Sequence, residues 1–423
     1  LKIVFYTYKI RLEPTEDQIV KLNKHFGSVR WSYNYFLNQR KEYYQENKKS
    51  LNYNKQSSIL TQLKQNEDTL WLKEINAQSL QYSLKCLDIA YNNFFRGSAR
   101  FPRFKSKKGK NSFVIPQYTK IKNELLLIPK FREGIKMILN RKIEGIIKHS
   151  SISKTPTGKY FVSILVEKEY NPVQKTNKTV GIDLGLKDFL ITSDGTRTKN
   201  HRFFKKYQKL LKINQKHLSR KQKDSKKKER QRLKVARIHE KISNSRLDLI
   251  HQTTSDLIKN YDIICLEDLN IKGMSHRCKP KQDENGNYLP NGQSAKSGLN
   301  KSILDVAWGK FVETLEYKAE WNDKKVVKIS RWYPSSKTCN CCGWINQDLI
   351  LKNRTWTCQK CNTVLDRDIN ASKNILKEGL KIISDGTSDY GHGDQIRLDL
   401  SSTVYEVSKE MDQFDPETIT SLV

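Results

Sequence analysis

No stretch of the 423 residues reaches the roughly 18 consecutive apolar residues that a membrane-crossing helix requires. The opening segment LKIVFYTYKIRLEP alternates apolar with charged residues, so it lacks the apolar core and small-residue cleavage site of a secretory signal. Acidic residues are few beside basic ones: 45 Asp and Glu face 78 Lys and Arg, a formal charge of +33 with a pI near 9.7. Such an excess predicts a polyanionic partner, because each phosphate that a basic side chain neutralises releases counterions. A membrane surface would attract the same charge. Without a spanning segment, a cytoplasmic, nucleoid-associated setting is the economical expectation. Cysteine is sparse too, and eight in a chain of this size are too few for a disulfide scaffold.

Four of those cysteines are nevertheless clustered. Cys339/Cys342 and Cys358/Cys361 form a C-x2-C…C-x2-C pattern with 15 residues between the pairs, the spacing of two knuckles that offer four thiolates to one tetrahedral zinc ion. Four unligated core cysteines are the alternative, and the spacing favours the metal. Cys341 lies inside the first knuckle and leaves the register open, although Gly343 suits the turn that would follow Cys342. Four thiolates leave no open coordination position, so the expected role is structural. Cys86, Cys265 and Cys278 are scattered.

The length allows two to four domains, and the periodicities suggest a multidomain α+β protein. KIVFYTYKI (2–10) reads as a strand, and TEDQ (Thr15 to Gln18) has the form of a capping box opening a mostly helical block to about residue 95. RGSARFPRFKSKKGKNSFVIPQ (96–117) breaks it with Gly, Pro and dense positive charge. Short strand-like runs then continue to about 171, the texture of a small β-barrel or curled sheet that the opening strand would join. After a linker at 171–178, TVGIDLGLKDFLITSDGT reads as a hairpin. A basic helical stretch (202–260), the short strand YDIICLEDLN, a polar loop (277–299), a helix from Leu304 to Trp321 and the strand KVVKISRWYP follow. Hairpin, helices, strand, helix, strand is the order of a ribonuclease H-like α/β domain. Beyond Ser384 the chain carries nine acids against two bases and reads as a disordered appendage.

Three acids stand on three of these elements. Asp183 sits mid-strand in VGIDLGL, where an unpaired charge costs several kcal/mol; an edge-strand acid facing solvent is the alternative. Glu267 lies at the acidic C-terminal end of the strand IICLEDL, and strand ends are where open α/β sheets bind ligands; Asp268, on the other face, is the weaker candidate, and Glu267 could also merely cap the following loop. Asp366 and Asp368 head the helix that follows the second cysteine pair. Asp366 is assigned the N-cap and Asp368 the inward position, and spacing alone leaves the two exchangeable. Acids converging from separate elements are what a pair of Mg²⁺ ions requires in phosphodiester hydrolysis.

GIDLGLKDF, LEDLNIKGM, SSKTCNCCG and CQKCNTVLDRDINASKNIL resemble the signature segments of the TnpB family of transposon-encoded RNA-guided DNA nucleases, relatives of compact type V CRISPR effectors. YKIRLEPTEDQIVKLNKHFGSVRWSYNYFL and RFPRFKSKK are similar to that family as well. The resemblance implies a RuvC-like nuclease domain (176–336 and 362–383) with Asp183, Glu267 and Asp368 as catalytic triad. It further implies a zinc-ribbon target nucleic-acid-binding module (337–361), a β-barrel wedge domain (1–12 and 96–172) and a helical recognition insertion (13–95). Its implied cofactors are two Mg²⁺ ions and one structural Zn²⁺. Its implied partners are an element-encoded guide RNA and matching double-stranded DNA, cut beside a short flanking motif, with a monomer favoured. A nuclease-inactive RNA-guided regulator and a ribonuclease H-like transposase are the alternatives.

Two basic surfaces are candidates for the nucleic acid. Arg100, Arg103, Lys105, Lys107, Lys108 and Lys110 interleave with Phe101, Phe104 and Phe113, so that rings could stack on bases while cations track phosphates. A solvated loop anchored by its aromatics is the alternative. Lys226, Lys227 and Lys228 fall at the expected turn of the basic helix pair. His217, His239 and His251 read as surface or packing residues.

Overall fold

The computed structural model describes residues 2–350 and 352–386, so nearly all of the expected acidic tail (384–423) lies outside the described residues. The chain divides between Tyr170 and Asn171 into two compact units.

In the first unit, strand β1 (Lys2–Glu13) leads into helices α1 (Glu16–Asn47), α2 (Tyr53–Leu63) and α3 (Ala77–Phe95). α1 starts at the capping box: the Thr15 side chain accepts from the Gln18 N–H, and the Gln18 side chain accepts from the Thr15 N–H. Strands β2 (Asn111–Ile115), β3 (Lys120–Lys122), β4 (Leu125–Ile128), β5 (Phe131–Ile138), β6 (Ile146–Lys154) and β7 (Tyr160–Tyr170) join β1 in a seven-stranded sheet of order β2-β6-β7-β1-β5-β4-β3. The opening strand therefore lies inside the sheet, and the helices are an excursion between β1 and β2. One core unites them: Leu22, Phe26 and Phe36 of α1 and Leu80 and Leu84 of α3 pack with Phe131, Val162 and Ile164 of the strands. Phe113, grouped by sequence with the base-stacking rings, belongs to this core. It is buried against the rings of His25 and Phe26, because alternation along β2 turns Phe113 and Ile115 inward.

The second unit holds a five-stranded sheet built from β8 (Thr179–Leu184), β9 (Asp188–Thr192), β10 (Arg197–Lys199), β11 (Ile263–Glu267) and, later in the chain, Lys325–Ile329. Between β10 and β11 run α4 (Phe203–Ser219) and α5 (Lys226–Asn260). After β11 come the single turn α6 (Ile271–Met274), a hairpin of β12 (Lys281–Gln282) and β13 (Tyr288–Leu289), and helices α7 (Gln293–Val306) and α8 (Trp308–Trp321). The strand at 325–329 is β14; β15 (Thr355–Thr357), β16 (Val364–Asp366) and α9 (Arg367–Ser384) complete the described chain. The sheet order is β10-β9-β8-β11-β14. β8 and β10 are antiparallel to β9, whereas β11 is parallel to both of its neighbours.

Three details differ from the expectation. The polar segment 277–299 contains the β12–β13 hairpin and the start of α7. The single helix at 304–321 is two, broken at Ala307 in the left-handed region (φ 57°). Asp305 is committed elsewhere there: its carboxylate accepts from the Phe204 N–H at the start of α4 (2.9 Å) and pairs with Arg246 (2.9 Å), while Ile303 and Val306 are held in the core. Lys226–Lys228 form the first turn of α5 instead of the turn before it, because the Ser225 hydroxyl caps that helix by accepting from the Lys228 N–H. Among the described residues no helix is long and apolar enough to cross a membrane.

The two faces of the five-stranded sheet are covered by different helices. Val180, Ile182, Ile264 and Leu266 pack with Ile250, Phe311 and Leu315 on one side. Cys265 and Ile329 meet Ile375 of α9 on the other. The approach of α9 is so close that a Cβ on Gly181 would stand 2.0 Å from the Ser372 carbonyl oxygen. Gly181→Ala is therefore expected to push α9 off the sheet and lower stability by about 1–3 kcal/mol or more, read as a fall in Tm; an unchanged Tm would contradict this packing.

Candidate active site and metal centre

β8 and β11 lie side by side with Cys265 opposite Gly181 and Leu266 opposite Ile182. One further step of that register brings Glu267 beside Asp183. Alternation turns Asp183 to the face of Gly181 and Glu267 to the face of Cys265, which is the face that α9 covers. Since Gly181 lies under Ser372, Asp368, one turn earlier on α9, comes over the same strand ends. The structure thus gathers Asp183, Glu267 and Asp368 at one edge of one sheet face.

Electrostatics register the convergence. The Asp183 carboxyl is pushed up to about 7, first by burial and then by the charges of Glu267 and Asp368, with Arg367 and Arg354 acting in the opposite direction. Asp183 keeps part of its surface in solvent, but it is set deep among neighbouring atoms. Burial also raises Glu267, and a hydrogen bond from Ser335 opposes the rise. Ser335 Oγ donates to Glu267 Oε1 at 2.6 Å, and Asn374 Nδ2 fixes Ser335 by donating to its carbonyl at 2.8 Å. Arg354 Nη1 lies 3.3 Å from both carboxylate oxygens of Asp368, while the Arg354 carbonyl accepts from the Arg367 N–H.

The neighbouring acids are occupied differently. Asp366 is the N-cap of α9, accepting from the Asp368 and Ile369 N–H groups, and it pairs with Arg197 at 2.8 Å. Asp268 pairs with Arg331. Sequence reasoning passed over Ser335 and Arg354. Ser335 stands in the quoted segment SSKTCNCCG without a role, and nothing in the spacing around Arg354 marks it. Ser335→Ala is expected to raise the Glu267 pKa and slow any reaction that needs this carboxylate ionised, by several-fold, with the acid limb of the pH–rate profile moved upward. A coincident profile would remove Ser335 from the site.

All carboxylates here are hard oxygen donors suited to a divalent cation. The Asp183 carboxyl raised by burial and by the charges of Glu267 and Asp368 is an arrangement that bound cations would relieve.

A separate cluster lies in the segment around β15 and β16. The thiols of Cys339, Cys342, Cys358 and Cys361 all lie within 4.8 Å of one another. Cys339 and Cys361 are 3.7 Å apart at sulfur, and Cys342 and Cys358 are 3.5 Å apart. Four sulfurs at about 2.3 Å from a tetrahedral zinc would be separated by about 3.8 Å, so the donor set and its spacing fit one structural zinc ion. In the metal-free cluster, hydrogen bonding to Thr363 draws the Cys361 thiol down while burial raises Cys339. Cys341 is exposed, turned to Asn340, and stands outside the cluster. Leu349, Trp356 and Leu365 form the small core around these cysteines.

The basic candidates lie on the two units separately. In the first, the loop carrying Arg100, Arg103, Phe104, Lys105, Lys107 and Lys108 is exposed and tied to α1. Asn34 exchanges two hydrogen bonds with the Lys105 backbone, at 2.7 and 2.9 Å. Lys105 Nζ lies 4.0 Å from the centre of the Tyr33 ring, and Lys41 Nζ lies 5.0 Å from that of Phe104. Phe101 anchors the loop edge-on to Tyr91 and Phe94. In the second unit Lys226 and Lys227 are exposed and Lys228 is half-buried.

Three family models match: "Probable transposase" (IS605 OrfB type) over residues 162–277, "Cas12f1-like, TNB domain" over 308–375, and an OrfB "Helix-turn-helix domain" over 6–49. The last covers most of β1 and the single continuous helix α1. Among solved structures, a Cas12f1 chain from a complex titled with sgRNA and target DNA aligns over 88% of this chain and 98% of its own, with a TM-score of 0.50 at 14% identity. That likeness defines the class of fold, Cas12f-like with a TNB zinc-ribbon domain. Two relatives bear the name "Putative RNA-guided DNA endonuclease". InsQ of Escherichia coli K12 is 34% identical over 90% of this chain and 93% of its own length. The Streptomyces pristinaespiralis protein is 32% identical over 88% and 89%. The chain belongs to the OrfB/TnpB family.

Proposed function

We propose that this protein is a Mg²⁺-dependent, RNA-guided DNA endonuclease of a transposable element. In this reading it binds an element-encoded guide RNA and cleaves matching double-stranded DNA beside a short flanking motif. The observation that carries the proposal is the gathering of Asp183, Glu267 and Asp368 at one edge of the five-stranded sheet, in a chain whose full-length relatives bear that name. The sheet order of β8–β11 and β14, with α9 on one face, supports a RuvC-like domain interrupted by the zinc module; the seven-stranded sheet and α1–α3 correspond to a wedge domain and its recognition insertion.

Two Mg²⁺ ions held by the three carboxylates would neutralise phosphate charge and activate water for in-line attack on phosphorus. Asp183, Glu267 and Asp368 would hold the ions; Glu267 is oriented by Ser335, and Asp368 is presented by the first turn of α9 while Asp366 caps it. Arg354, seated on Asp368, is placed to exchange that carboxylate for a phosphodiester oxygen. The exposed loop 100–108 and the start of α5 supply cations for the backbones of guide and target, whose sequence is read by base pairing.

Sequencing the RNA that copurifies when the protein is expressed with its native flanking DNA tests the guided reading. A discrete species with a constant scaffold and one variable end is the expected result. Random host fragments alone would overturn it and favour a transposase.

A further inference from the structure

Trp332 is 86% exposed, the most exposed of the large hydrophobic side chains among the described residues. Its loop is not loose. Trp332 follows β14 by three residues, a chain reach of at most about 11 Å from Ile329, which is paired in register with Glu267. The Trp332 N–H donates to Ser330 Oγ and the Tyr333 N–H to the Ser330 carbonyl. On one side Arg331 is held by Asp268; on the other Tyr333 packs against the cluster of Cys265, Ile329 and Ile375, and Ser335 holds Glu267. Arg331, Tyr333 and Ser335 are each held by a partner, whereas the indole projects into water. An anchored loop that displays so exposed an aromatic face, within about 11 Å of backbone reach of the residue paired with Glu267, suits a flat partner.

Resting on the functional reading above, we propose that Trp332 is a positioning residue of the nuclease site, stacking on an unpaired base of the DNA strand that enters it. A strand separated from its complement by guide pairing presents bare base faces, and an indole accepts any of them without sequence preference. Stacking one nucleotide near the carboxylates would hold the adjoining phosphodiester in line for attack. The high positive charge of the chain, +33 overall, favours a nucleic-acid occupant over an apolar protein segment.

The test is single-turnover cleavage by the full chain loaded with guide RNA, comparing wild type, Trp332→Ala and Trp332→Phe. Targets carry either intact bases or one abasic nucleotide stepped through the positions flanking the cut. Trp332→Ala is expected to cleave about ten- to hundredfold more slowly while binding guide and target as tightly as wild type, and Trp332→Phe to keep most of the rate. At one position the abasic target should slow wild type by a similar factor and leave Trp332→Ala no slower than it already is. Wild-type cleavage matched by Trp332→Ala, or an abasic penalty fully retained in that variant, would overturn the stacking role alone. Failure of wild type to cleave the intact target would overturn the functional reading and the proposal with it.

Discussion

Asp183→Ala is expected to abolish cleavage of a guide-matched duplex, a loss of at least about a thousandfold, with guide and target binding nearly intact. Asp183 is pushed up in pKa by burial and by the charges of both other carboxylates. Removing it would take away one of the three carboxylates proposed to hold Mg²⁺. Metal ions at such sites contribute several kcal/mol of transition-state charge stabilisation, and each 1.36 kcal/mol is a factor of ten in rate. Binding should survive because the cations proposed to hold nucleic acid lie on other elements. The same residue carries a stability signature. Its folded pKa, about 7, is above the ordinary 3.8, so between those values the folded state binds more protons and metal-free stability falls as pH rises. Asp183→Asn should therefore stabilise the metal-free protein at pH 8 but scarcely at pH 4. The difference is on the order of 2 kcal/mol, below the full shift because Asp183 retains some solvent contact. Equal stabilisation at both pH values would show that the carboxyl is not perturbed in this way.

The second large effect is expected at the cysteine cluster. Cys358→Ser should remove bound zinc and unfold the segment around β15 and β16, seen as loss of one zinc per chain and rapid proteolysis between residues 337 and 366. The core there is only a few side chains, among them Leu349, Trp356 and Leu365, too little to fold unaided, whereas a structural zinc contributes about 10–16 kcal/mol of apparent binding energy in small modules. The damage should reach the carboxylate site. Arg354 is anchored through this segment, and its carbonyl accepts from the Arg367 N–H at the head of α9. Cleavage is therefore expected to fall with zinc loss, although the four cysteines form a separate cluster. Cys341→Ser should change neither zinc content nor rate, since its thiol stands outside the cluster. Zinc retention in Cys342→Ser together with zinc loss in Cys341→Ser would reverse the ligand register.

Much of this is legible in the sequence because it rests on local rules. The TEDQ capping box, the alternation that makes Val180 and Ile182 core residues, and the paired C-x2-C knuckles each follow from spacing within a few residues. An acidic N-cap at the head of this helix is local too, but spacing alone leaves Asp366 and Asp368 exchangeable, and the structure assigns the cap to Asp366. What is not legible depends on distant partners. The break at Ala307 reflects Asp305 being drawn to the start of α4 and to Arg246, about sixty to a hundred residues away in sequence. Phe113 reads as an aromatic in a basic loop until β2 is known to pair with β6 and turn it inward. Ser335 and Arg354 acquire their places only when α9 folds back over β8, an approach that Gly181 permits. Residues whose role is to orient others leave little trace in spacing.

The central claim is guided, metal-dependent cleavage, and the most direct measurement is an incubation of the purified ribonucleoprotein with linear duplexes that match or do not match the variable end of its RNA. The account predicts cleavage of the matched duplex alone, dependent on Mg²⁺, and none by Asp183→Ala. Guide-dependent binding without cleavage at any Mg²⁺ concentration would contradict it and leave an RNA-guided DNA-binding regulator in its place.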